Sequence, residues 1–371
     1  MDDLTTVRQG PGLYQVGASQ PCPETTPRTT VIVVNYNGGA DLPRCLQSLQ
    51  TARGDFEILV VDNASTDGSA ACAAGLVPGL RLVRNEANLG FGAAGNVGKC
   101  WARGEYLAFL NPDSVVDPGW LEALVAALDA NPQAGLATSK ILLLAEPERI
   151  NACGTEIHCT GLTLCLGMGR AGTAFDRVEE VDAVSGAAFA IRRTLFERLG
   201  GFDPCFFLYF EDVDLSWRAR LAGSCCLYVP GSVVYHDYQL CFGPQKTFYE
   251  ERNRYLMLLK GLRWPTLLLL LPTLLLGEVV TWGFVFLRDR RRLGNKIRAY
   301  AWILQHWRQV MAERSRVQEL RQVRDRALLA RCTHRLDLEQ VTGGIVARLG
   351  HLVLDPLFFA AHRLALALMW W

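Results

Sequence analysis

Three acidic residues, far apart in the chain, lie where carboxylates could do chemistry. Asp62 follows the apolar run Phe56–Val61, and Asp113 follows Tyr106–Leu110. Asp212 follows a run of aromatic residues. A carboxylate at the end of a buried strand needs a ligand or a donor, because burying an unpaired charge is costly. These acids are therefore candidates for ligand binding, metal binding and proton transfer.

Asp62 suits the recognition of a pyrimidine base. When ionised it only accepts hydrogen bonds, which matches the imide N–H of uracil or thymine. Tyr36, at the end of the neighbouring strand, could stack on that base. The alternative is that Asp62 serves the turn, since Asp-Asn-Ala-Ser is a turn-forming sequence.

Asp113 suits a hard divalent cation, and we predict Mg²⁺ or Mn²⁺. Such ions take oxygen ligands, often one or two carboxylates together with substrate phosphates, and they neutralise a departing diphosphate. His236, in Val-Val-Tyr-His, is a candidate further ligand, and a purely structural histidine is the alternative.

Asp212 is the candidate general base. It lies with Glu211 and Asp214 at the expected start of a helix, where acids also stabilise the helix dipole. The aromatic residues before them predict an apolar environment, which raises a carboxyl pKa and favours a base. Arg218, further along the helix, would hold a phosphate or pair with an acid.

The elements that must position these residues follow a regular alternation of strand, polar loop and helix. The predicted strands are Thr30–Val34, Phe56–Val61, Leu80–Val83 and Tyr106–Leu110. This alternation predicts a parallel sheet with helices on its faces, and ligands bind such sheets at the carboxyl ends of the strands. A helix is predicted over residues 118–129, and Val181–Arg192 is predicted as one further strand.

The segment Gly90–Gly95 matches the dinucleotide fingerprint GxGxxG, with Asp113 downstream. That fingerprint belongs after the first strand, whereas here it follows the third. A nicotinamide-dependent oxidoreductase is therefore a minor alternative. The glycines more simply allow a loop to approach a ligand or the sheet closely.

Seven short motifs occur in an order typical of one enzyme family. They are Val-Val-Asn-Tyr-Asn-Gly at 33–38, Val-Asp-Asn-Ala-Ser-Thr-Asp-Gly at 61–68, Asn-Leu-Gly-Phe-Gly-Ala-Ala-Gly-Asn at 88–96, Leu-Asn-Pro-Asp-Ser at 110–114, Val-Ser-Gly-Ala at 184–187, Gly-Gly-Phe-Asp at 200–203 and Tyr-Phe-Glu-Asp-Val-Asp-Leu at 209–215. Together they resemble the family-two glycosyltransferases of the GT-A fold, especially the rhamnosyltransferase-like branch of bacterial cell-surface polysaccharide synthesis. The resemblance covers roughly residues 29–260.

The resemblance implies an inverting transfer from a nucleoside diphosphate sugar, dTDP- or UDP-linked, with rhamnose as the first choice. It assigns Asp62 to the base, Asp113 and His236 to the metal, and Asp212 to general base catalysis. Asn111 replaces the first acid of the family's DxD motif, which weakens the expectation of metal dependence. Further donor-side candidates are Tyr36, Asn37, Asn63, Gly92, Asn96, Asn111 and Arg218. The acceptor-side candidates are Ser185, Gly186 and Glu211.

The implied acceptor is a saccharide or a polyprenyl-linked saccharide. We expect N–H groups near Gly90–Gly95 to help to stabilise the leaving diphosphate. A non-catalytic scaffold that binds nucleotide or glycan is the alternative; it would need Asp62 but neither Asp113 nor Asp212.

The predicted organisation is a flexible tail (1–28), a GT-A catalytic domain (29–262) and an apolar, basic, helical, membrane-associated region (263–371). Trp264–Leu287 is apolar apart from Glu278 and is flanked on both sides by basic residues. Both flanks then favour the cytoplasmic side. This pattern favours a re-entrant hairpin bent near Pro272 or an interfacial helix over a single span or a buried helix pair. Ile345–Trp371 is predicted as a second interfacial helix.

Composition excludes several classes of protein. The first two thirds of the chain carry no basic surface of the kind that binds nucleic acid. The N-terminal residues do not read as a secretory signal peptide, which places the expected activity on the cytoplasmic face of the cell membrane. The twelve cysteines are expected to be reduced and packed, with zinc at Cys153, Cys159 and Cys165 as the lesser alternative.

Overall fold

The computed structural model describes residues 26–73, 75–238, 245–288, 290, 293–336 and 345–371. Residues 1–25 of the predicted tail lie outside this part of the chain. The strands are β1 (Thr29–Asn35), β2 (Phe56–Asp62), β3 (Arg81–Arg84), β4 (Tyr106–Leu110), β5 (Ser114–Val116), β6 (Ala134–Leu143), β7 (Ile150–Ala152), β8 (Thr155–Ile157), β9 (Thr163–Cys165), β10 (Glu179–Val181), β11 (Ala188–Arg192) and β12 (Cys225–His236).

Among the described residues, ten of these strands form one mixed sheet in the order β10-β12-β6-β11-β4-β1-β2-β3, with β5 beside β12 and β7 beside β6. The strands β1, β2, β3 and β4 are parallel, as predicted. Strand β11 lies antiparallel between β4 and β6. Strands β8 and β9 pair separately as an antiparallel hairpin.

One predicted strand is wrong. Val181–Arg192 is not continuous: β10 ends at Val181 and pairs with β12 at the sheet edge, whereas β11 begins at Ala188 in the sheet interior. The residues between them form a loop, in which the amide of Ser185 donates to Thr138 Oγ1. The Ser-Gly-Ala sequence therefore lies in the loop that connects β10 to β11.

The helices are α1 (Asp41–Leu49), α2 (Ser69–Ala73), α3 (Phe91–Trp101), α4 (Trp120–Ala130), α5 (Arg193–Arg198), α6 (Glu211–Leu221), α7 (Lys246–Gly261), α8 (Trp264–Arg288), α9 (Leu293–Gln305), α10 (Trp307–Glu319), α11 (Asp325–Leu329) and α12 (Ile345–Leu368). A 3₁₀ turn covers Pro204–Phe206. The predicted helix over residues 118–129 is confirmed as α4.

The helices cover both faces of the sheet because successive strand residues point to opposite sides. Val31 and Val33 of β1 pack with α1 and α4, in one apolar cluster. Ile32 and Val34 pack on the other side with Ala94 of α3. Gly98 of α3 lies directly over Ile32 and Val61, where a Cβ would be 2.8 Å from Ile32 Cγ2. This close contact sets α3 tightly against the sheet.

The C-terminal helices share a core with the rest of the protein. The predicted boundary at residues 262–263 falls between α7 and α8, yet one apolar cluster crosses it. That cluster joins Ile157 and Trp217 to Leu270 of α8, Ile303 of α9 and Phe358 of α12. Helix α8 continues through Pro272. The predicted hairpin bent at Pro272 is therefore wrong.

A buried network of charges fixes α8 to its neighbours. Glu278 of α8 forms ion pairs with Arg254 of α7 at 2.5 Å and with Lys296 of α9 at 3.0 Å. The same two cations also pair with Glu251, and Tyr300 donates a hydrogen bond to Glu278. Because Arg254 and Lys296 are buried, removing a carboxylate would leave charge without compensation.

We expect Glu278→Ala to lower the free energy of unfolding by about 3–5 kcal/mol, the range found when one partner of a buried ion pair is removed. Chemical denaturation of the purified protein measures this loss. Glu313→Ala is the matched control, since Glu313 forms an exposed pair with Arg316 and should cost less than about 1 kcal/mol. Equal losses in the two variants would contradict a structural role for the network.

Candidate active site

Asp62 is held in place at the end of β2 by the residue opposite it on β1. Asn35 pairs with Asp62 in the sheet register, and its Nδ2 donates to Asp62 Oδ1 at 3.2 Å. The same amide donates to Ser65 Oγ and Ser69 Oγ, both at 3.0 Å. Arg84 Nε, at the end of β3, lies 3.6 Å from Asp62 Oδ2. These contacts fix the orientation of the Asp62 carboxyl group and leave acceptor capacity for a ligand.

Tyr36 and Asn37 extend from β1 beyond Asp62. Tyr36 is 51% exposed, so its ring is free to meet a planar ligand. Asn37 adopts a left-handed backbone with φ of 53°, and its Oδ1 accepts from the amide of Thr66 at 2.8 Å. Through this hydrogen bond, Asn37 connects the loop after β1 to the loop after β2.

Asn63 organises the loop before α3. Its Nδ2 donates to Asn88 Oδ1 at 2.8 Å, and its Oδ1 accepts from the amide of Leu89 at 3.0 Å. The amide of Gly90 donates to Asn88 Oδ1, and the amide of Phe91 donates to the carbonyl of Phe207. The amides of residues 89–91 are thus used inside the fold. That N–H groups near Gly90–Gly95 stabilise a leaving diphosphate stays a prediction, to which these three bonded amides lend no support.

The glycines of the GxGxxG segment serve packing. Gly90 has a φ of 82°, and a Cβ there would lie 2.2 Å from the carbonyl oxygen of Phe207. At Gly92 and Gly95 a Cβ would lie 2.9 Å from atoms of the Phe202 side chain. Gly92, predicted on the donor side, therefore allows contact between protein segments. The fingerprint is explained without a dinucleotide.

Two predicted donor-side residues have structural contacts instead. Asn96 donates from Nδ2 to the carbonyl of Phe202 and accepts the amide of Phe202 through Oδ1. Arg218 is buried, pairs with Asp214 at 2.7 Å, and donates to the carbonyls of Leu199 and Gly201. Asn96 is engaged inside the fold on both sides of its amide, and the buried Arg218 is fixed by Asp214 and two carbonyls, although its Nη2 has no hydrogen-bond partner among the described residues. We therefore do not assign donor contacts to either residue.

Asp113 and His236 are brought together by the pairing of β5 with β12. His236 lies opposite Ser114 in that register, and its Nε2 is 3.2 Å from Asp113 Oδ1. On the far side of the ring, Nδ1 faces Asn151 Oδ1 at 2.9 Å. With the amide assigned so, Nδ1 carries the proton and Nε2 directs its lone pair at a carboxylate oxygen.

This arrangement fits a divalent cation. Asp113 Oδ1 is buried and has no hydrogen-bond partner among the described residues. In the tautomer with the proton on Nδ1, two electron-rich atoms therefore face each other. A metal bound by Asp113 and His236 would remove that repulsion, and Asn151 would orient the imidazole as metal-bound histidines require. Among the described residues, no group of three or more His, Cys, Asp or Glu residues could hold a metal. Substrate phosphates and water would therefore supply the other ligands. The zinc alternative finds no support.

Asn111 connects the metal candidates to the acceptor-side loop. Its amide donates to the carbonyl of Ala187 at 2.9 Å. The next residue back, Gly186, donates its amide to Asp212 Oδ2 at 2.6 Å. Backbone contacts thus run from the end of β4 to Asp212 across the start of β11.

Glu211 and Asp212 are neighbouring carboxyl groups with different surroundings: Glu211 is buried, whereas Asp212 is only partly buried. Asp212 accepts from the amides of Gly186 and Val213, whereas Glu211 Oε2 has no partner. Burial and the charge of Asp212 raise the pKa of Glu211 to about 8. Burial also raises the pKa of Asp212, but these two amides oppose the rise. The proton therefore resides on Glu211, and Asp212 is the ionised member of the pair.

The loop before Asp212 is held in an unusual conformation. Phe207, Tyr209 and Phe210 have φ values of 57°, 66° and 71°, which non-glycine residues rarely adopt. Asn253 of α7, fully buried, donates from Nδ2 to the carbonyls of Phe206, Leu208 and Tyr209. Such strain persists only where surrounding contacts enforce it, which is common at functional sites.

The three acids lie at one edge of the sheet. Strand β1 lies between β2 and β4 in the sheet. Asp62 is at the end of β2 and Asp113 comes just after β4, so the two acids lie on either side of the end of β1. Strand β11, antiparallel to β4, begins at the edge where β4 ends, and its loop contacts Asp212. A cavity of about 820 Å³ is lined by none of the three acids.

Sequence reasoning missed the residues that orient the candidates. Asn35, Asn151 and Asn253 hold Asp62, His236 and the loop before Asp212. Asn35 directly follows a predicted strand and lies in the motif at 33–38, so the sequence could have indicated a role for it at the site. Asn151 and Asn253 act across long stretches of chain and carry no local signal.

Comparison with known proteins identifies the family. A sequence profile of glycosyl transferase family group 2 matches residues 106–313, and one of glycosyl transferase family 2 matches residues 30–152. The chain is 32% identical over 233 residues to the N-acetylglucosaminyl-diphospho-decaprenol L-rhamnosyltransferase of Mycobacterium tuberculosis, a match that covers 56% of this chain and 75% of that relative.

Solved structures show the same fold. A structure of S. aureus TarS 1-349 in complex with UDP-GlcNAc has a TM-score of 0.53 at 18% identity, covering 92% of this chain and 88% of that one. A structure of GalNAc-T7 with UDP, GalNAc and Mn²⁺ has a TM-score of 0.52 at 21% identity, covering 63% of this chain and 48%, about half, of that one. The chain therefore belongs to glycosyl transferase family 2 and is a nucleotide-sugar-dependent glycosyltransferase of the GT-A fold.

Proposed function

We propose that the protein transfers rhamnose, with inversion, from a dTDP-linked donor to a saccharide on a polyprenyl diphosphate. The activity of the Mycobacterium tuberculosis relative supports this choice of sugar and acceptor. The observation that carries the proposal is the position of Asp212, which accepts from the amide of Gly186 at the sheet edge that also carries Asp62 and Asp113. Membership in family 2 leaves no support for the nicotinamide-dependent enzyme or for the non-catalytic scaffold.

The donor would lie along the carboxyl edge of the parallel strands. Asp62 would accept the imide N–H of the pyrimidine, and Tyr36 would stack on the ring. The diphosphate would then reach Asp113 and His236, where Mg²⁺ or Mn²⁺ would neutralise its charge. The Mn²⁺ in the GalNAc-T7 structure is consistent with a divalent ion.

The chain's own contribution to the reaction is proton transfer. Asp212 takes the proton of an acceptor hydroxyl while that oxygen forms the new bond to the anomeric carbon. The bond to the donor diphosphate breaks on the opposite face of the sugar, and the diphosphate leaves with the electron pair. Glu211, which keeps its own proton, lies beside Asp212 without competing for the acceptor proton.

We propose that residues 29–262 form the catalytic domain and that the helices beyond it attach it to the cytoplasmic face of a membrane. Among the described residues, Trp264–Phe286 of α8 and Gly350–Leu368 of α12 are long and apolar enough to cross a bilayer. Basic residues on both flanks of α8 support the cytoplasmic side.

The contacts of α8 support attachment within one leaflet over a transmembrane span. Thr266 bonds Asp325, Gly277 packs against Thr160, and Glu278 pairs with Arg254, so α8 lies alongside the protein through most of its length. A span centred on Glu278 would draw those charged partners into hydrocarbon, which is costly. The outward face of α8 carries exposed apolar residues, namely Leu268, Leu271, Leu275, Val279 and Phe286.

For the base, we expect Asp212→Asn to lower kcat by roughly 10²–10⁴-fold, the usual contribution of a general base. Donor affinity should stay within about twofold, because the asparagine oxygen can still accept the Gly186 amide. Steady-state kinetics and nucleotide titration measure the two quantities. Glu122→Gln, which changes an exposed acid paired with Arg53, is the control and should behave as wild type. Loss of donor affinity together with turnover would exclude the assignment.

For the metal, a thermal-shift titration with dTDP and UDP should give a larger rise in Tm when Mn²⁺ is present, since binding to the native state stabilises it. We expect Asp113→Asn to lose the Mn²⁺-dependent part of the rise and to keep the rest. Glu146→Gln removes an exposed acid paired with Arg149 and serves as the control. A Mn²⁺ effect that survives in Asp113→Asn would count against Asp113 as a ligand.

For the membrane, the protein should float with vesicles that contain about one third anionic lipid and be released by alkaline carbonate. Leu271→Ser, Leu275→Ser and Val279→Ser combined should lower vesicle partitioning by at least about tenfold, because apolar burial drives insertion. Val178→Ser changes an exposed apolar residue on the catalytic domain and should leave partitioning unchanged. Resistance to carbonate would indicate a true span instead.

A further inference from the structure

A cavity of about 820 Å³ opens between the segment after β9 and the residues around α11 and α12. Its size is within the range of roughly 300–1,000 Å³ typical of small-molecule sites. Arg170 lines it from one side, and Arg335 and His351 line it from the other. Among the described residues of the lining, Glu156 is the single carboxylate, so the two arginines make this part of the cavity predominantly cationic.

The cations of this cavity are available for a ligand. Among the described residues, the guanidinium groups of Arg170 and Arg335 have no ion-pair partner; that of Arg170 lies 5.9 Å from the ring centre of Phe175. His351 Nδ1 is bound to Asp355 at 3.0 Å, which leaves Nε2 for another contact. Arginine presents a planar fork of donors that matches phosphate oxygens.

The inner wall of the cavity reaches toward the catalytic base. Cys165, at the end of β9, lines the cavity and packs against Ala187 in a small apolar cluster with Ile141 and Ala152. The neighbouring residue, Gly186, donates its amide to Asp212. A sugar extending from the cavity past Cys165 would therefore approach the carboxylate that we assign as the base.

The outer end of the cavity continues onto an apolar helix. A second cavity of about 660 Å³ shares Arg335 and His351 with the first and extends to Pro356 and Phe359 of α12. Phe359 is 49% exposed, and further exposed apolar residues follow it on the helix, among them Leu364 and Leu368. The groove thus changes from cationic to apolar in the direction away from the base.

We propose that this groove binds the diphosphate and the first isoprene units of a lipid-linked acceptor, with Arg170, Arg335 and His351 on the phosphates. This inference rests on the proposed function and adds the location and chemistry of its acceptor site. The sugar points inward to Asp212, the diphosphate occupies the cationic middle, and the lipid leaves along α12 toward the membrane. The groove therefore offers, in this order, access to Asp212 for the sugar, cations for the diphosphate and an apolar surface for the lipid.

The test uses the full chain and farnesyl diphosphate as a short probe, with saturating dTDP and Mn²⁺ present so that the donor site is occupied. Isothermal titration should show binding by the wild type. Arg335→Gln and Arg170→Gln should each weaken it by about tenfold or more, since each loses a charge-assisted contact. Arg316→Gln, at an exposed pair with Glu313 outside the groove, should bind as wild type.

Two comparisons make the result decisive. Inorganic pyrophosphate should bind at least about tenfold more weakly than farnesyl diphosphate, because it lacks the apolar contact with Phe359. Equal binding of the two probes, or unchanged binding in both arginine variants, would overturn the acceptor site. Binding of dTDP by all variants, measured separately, should be unchanged; its absence in the wild type would refute the proposed function itself rather than the groove.

Discussion

The antiparallel insertion of β11 between β4 and β6 is the constraint on which the candidate site depends. It brings the amides of the 182–187 loop to the edge where the parallel strands end. There the carbonyl of Ala187 accepts from Asn111, and the amide of Gly186 donates to Asp212. The candidate donor-side residues at the parallel strands and the candidate base Asp212 at the start of α6 are thereby joined through the backbone of two consecutive residues, Gly186 and Ala187. A purely parallel sheet would leave Asp212 without its strongest fixed donor.

The two carboxyl groups at the start of α6 show how position separates the roles of adjacent acids. Glu211 is buried and Asp212 is partly buried, and the loss of solvent raises both pKa values. Only Asp212 receives two backbone donors, which stabilise its charged form. The proton goes to Glu211, whose Oε2 has nothing to accept. One fixed pair of amides thus selects which acid can accept a proton from a substrate.

The features of this arrangement that depend on short stretches of chain could be predicted from the sequence. The β-branched runs around Val31–Val34 and Leu59–Val61 predicted parallel strands, and the acids after them could be placed at one edge. The break in Val181–Arg192 could not be predicted, because strand pairing across the sheet decides it. Arg218 was expected either to hold a phosphate or to pair with an acid, and the structure shows the pairing. Its partner Asp214 and the carbonyls of Leu199 and Gly201 bury its charge, and burial depends on tertiary packing.

Helix α7 couples the two regions of the protein through adjacent residues. Asn253 holds the strained loop that leads to Asp212, and Arg254 pairs with Glu278 of α8. A shift of α8 relative to the catalytic domain would move Arg254, and the rigid helix would transmit that movement to Asn253. Both side chains are fully buried, so neither contact can be replaced by water without cost. If α8 rests on a membrane as proposed, α7 holds both α8 and the loop that leads to Asp212. The proposed acceptor groove and the proposed base would then keep a constant position relative to the lipid surface.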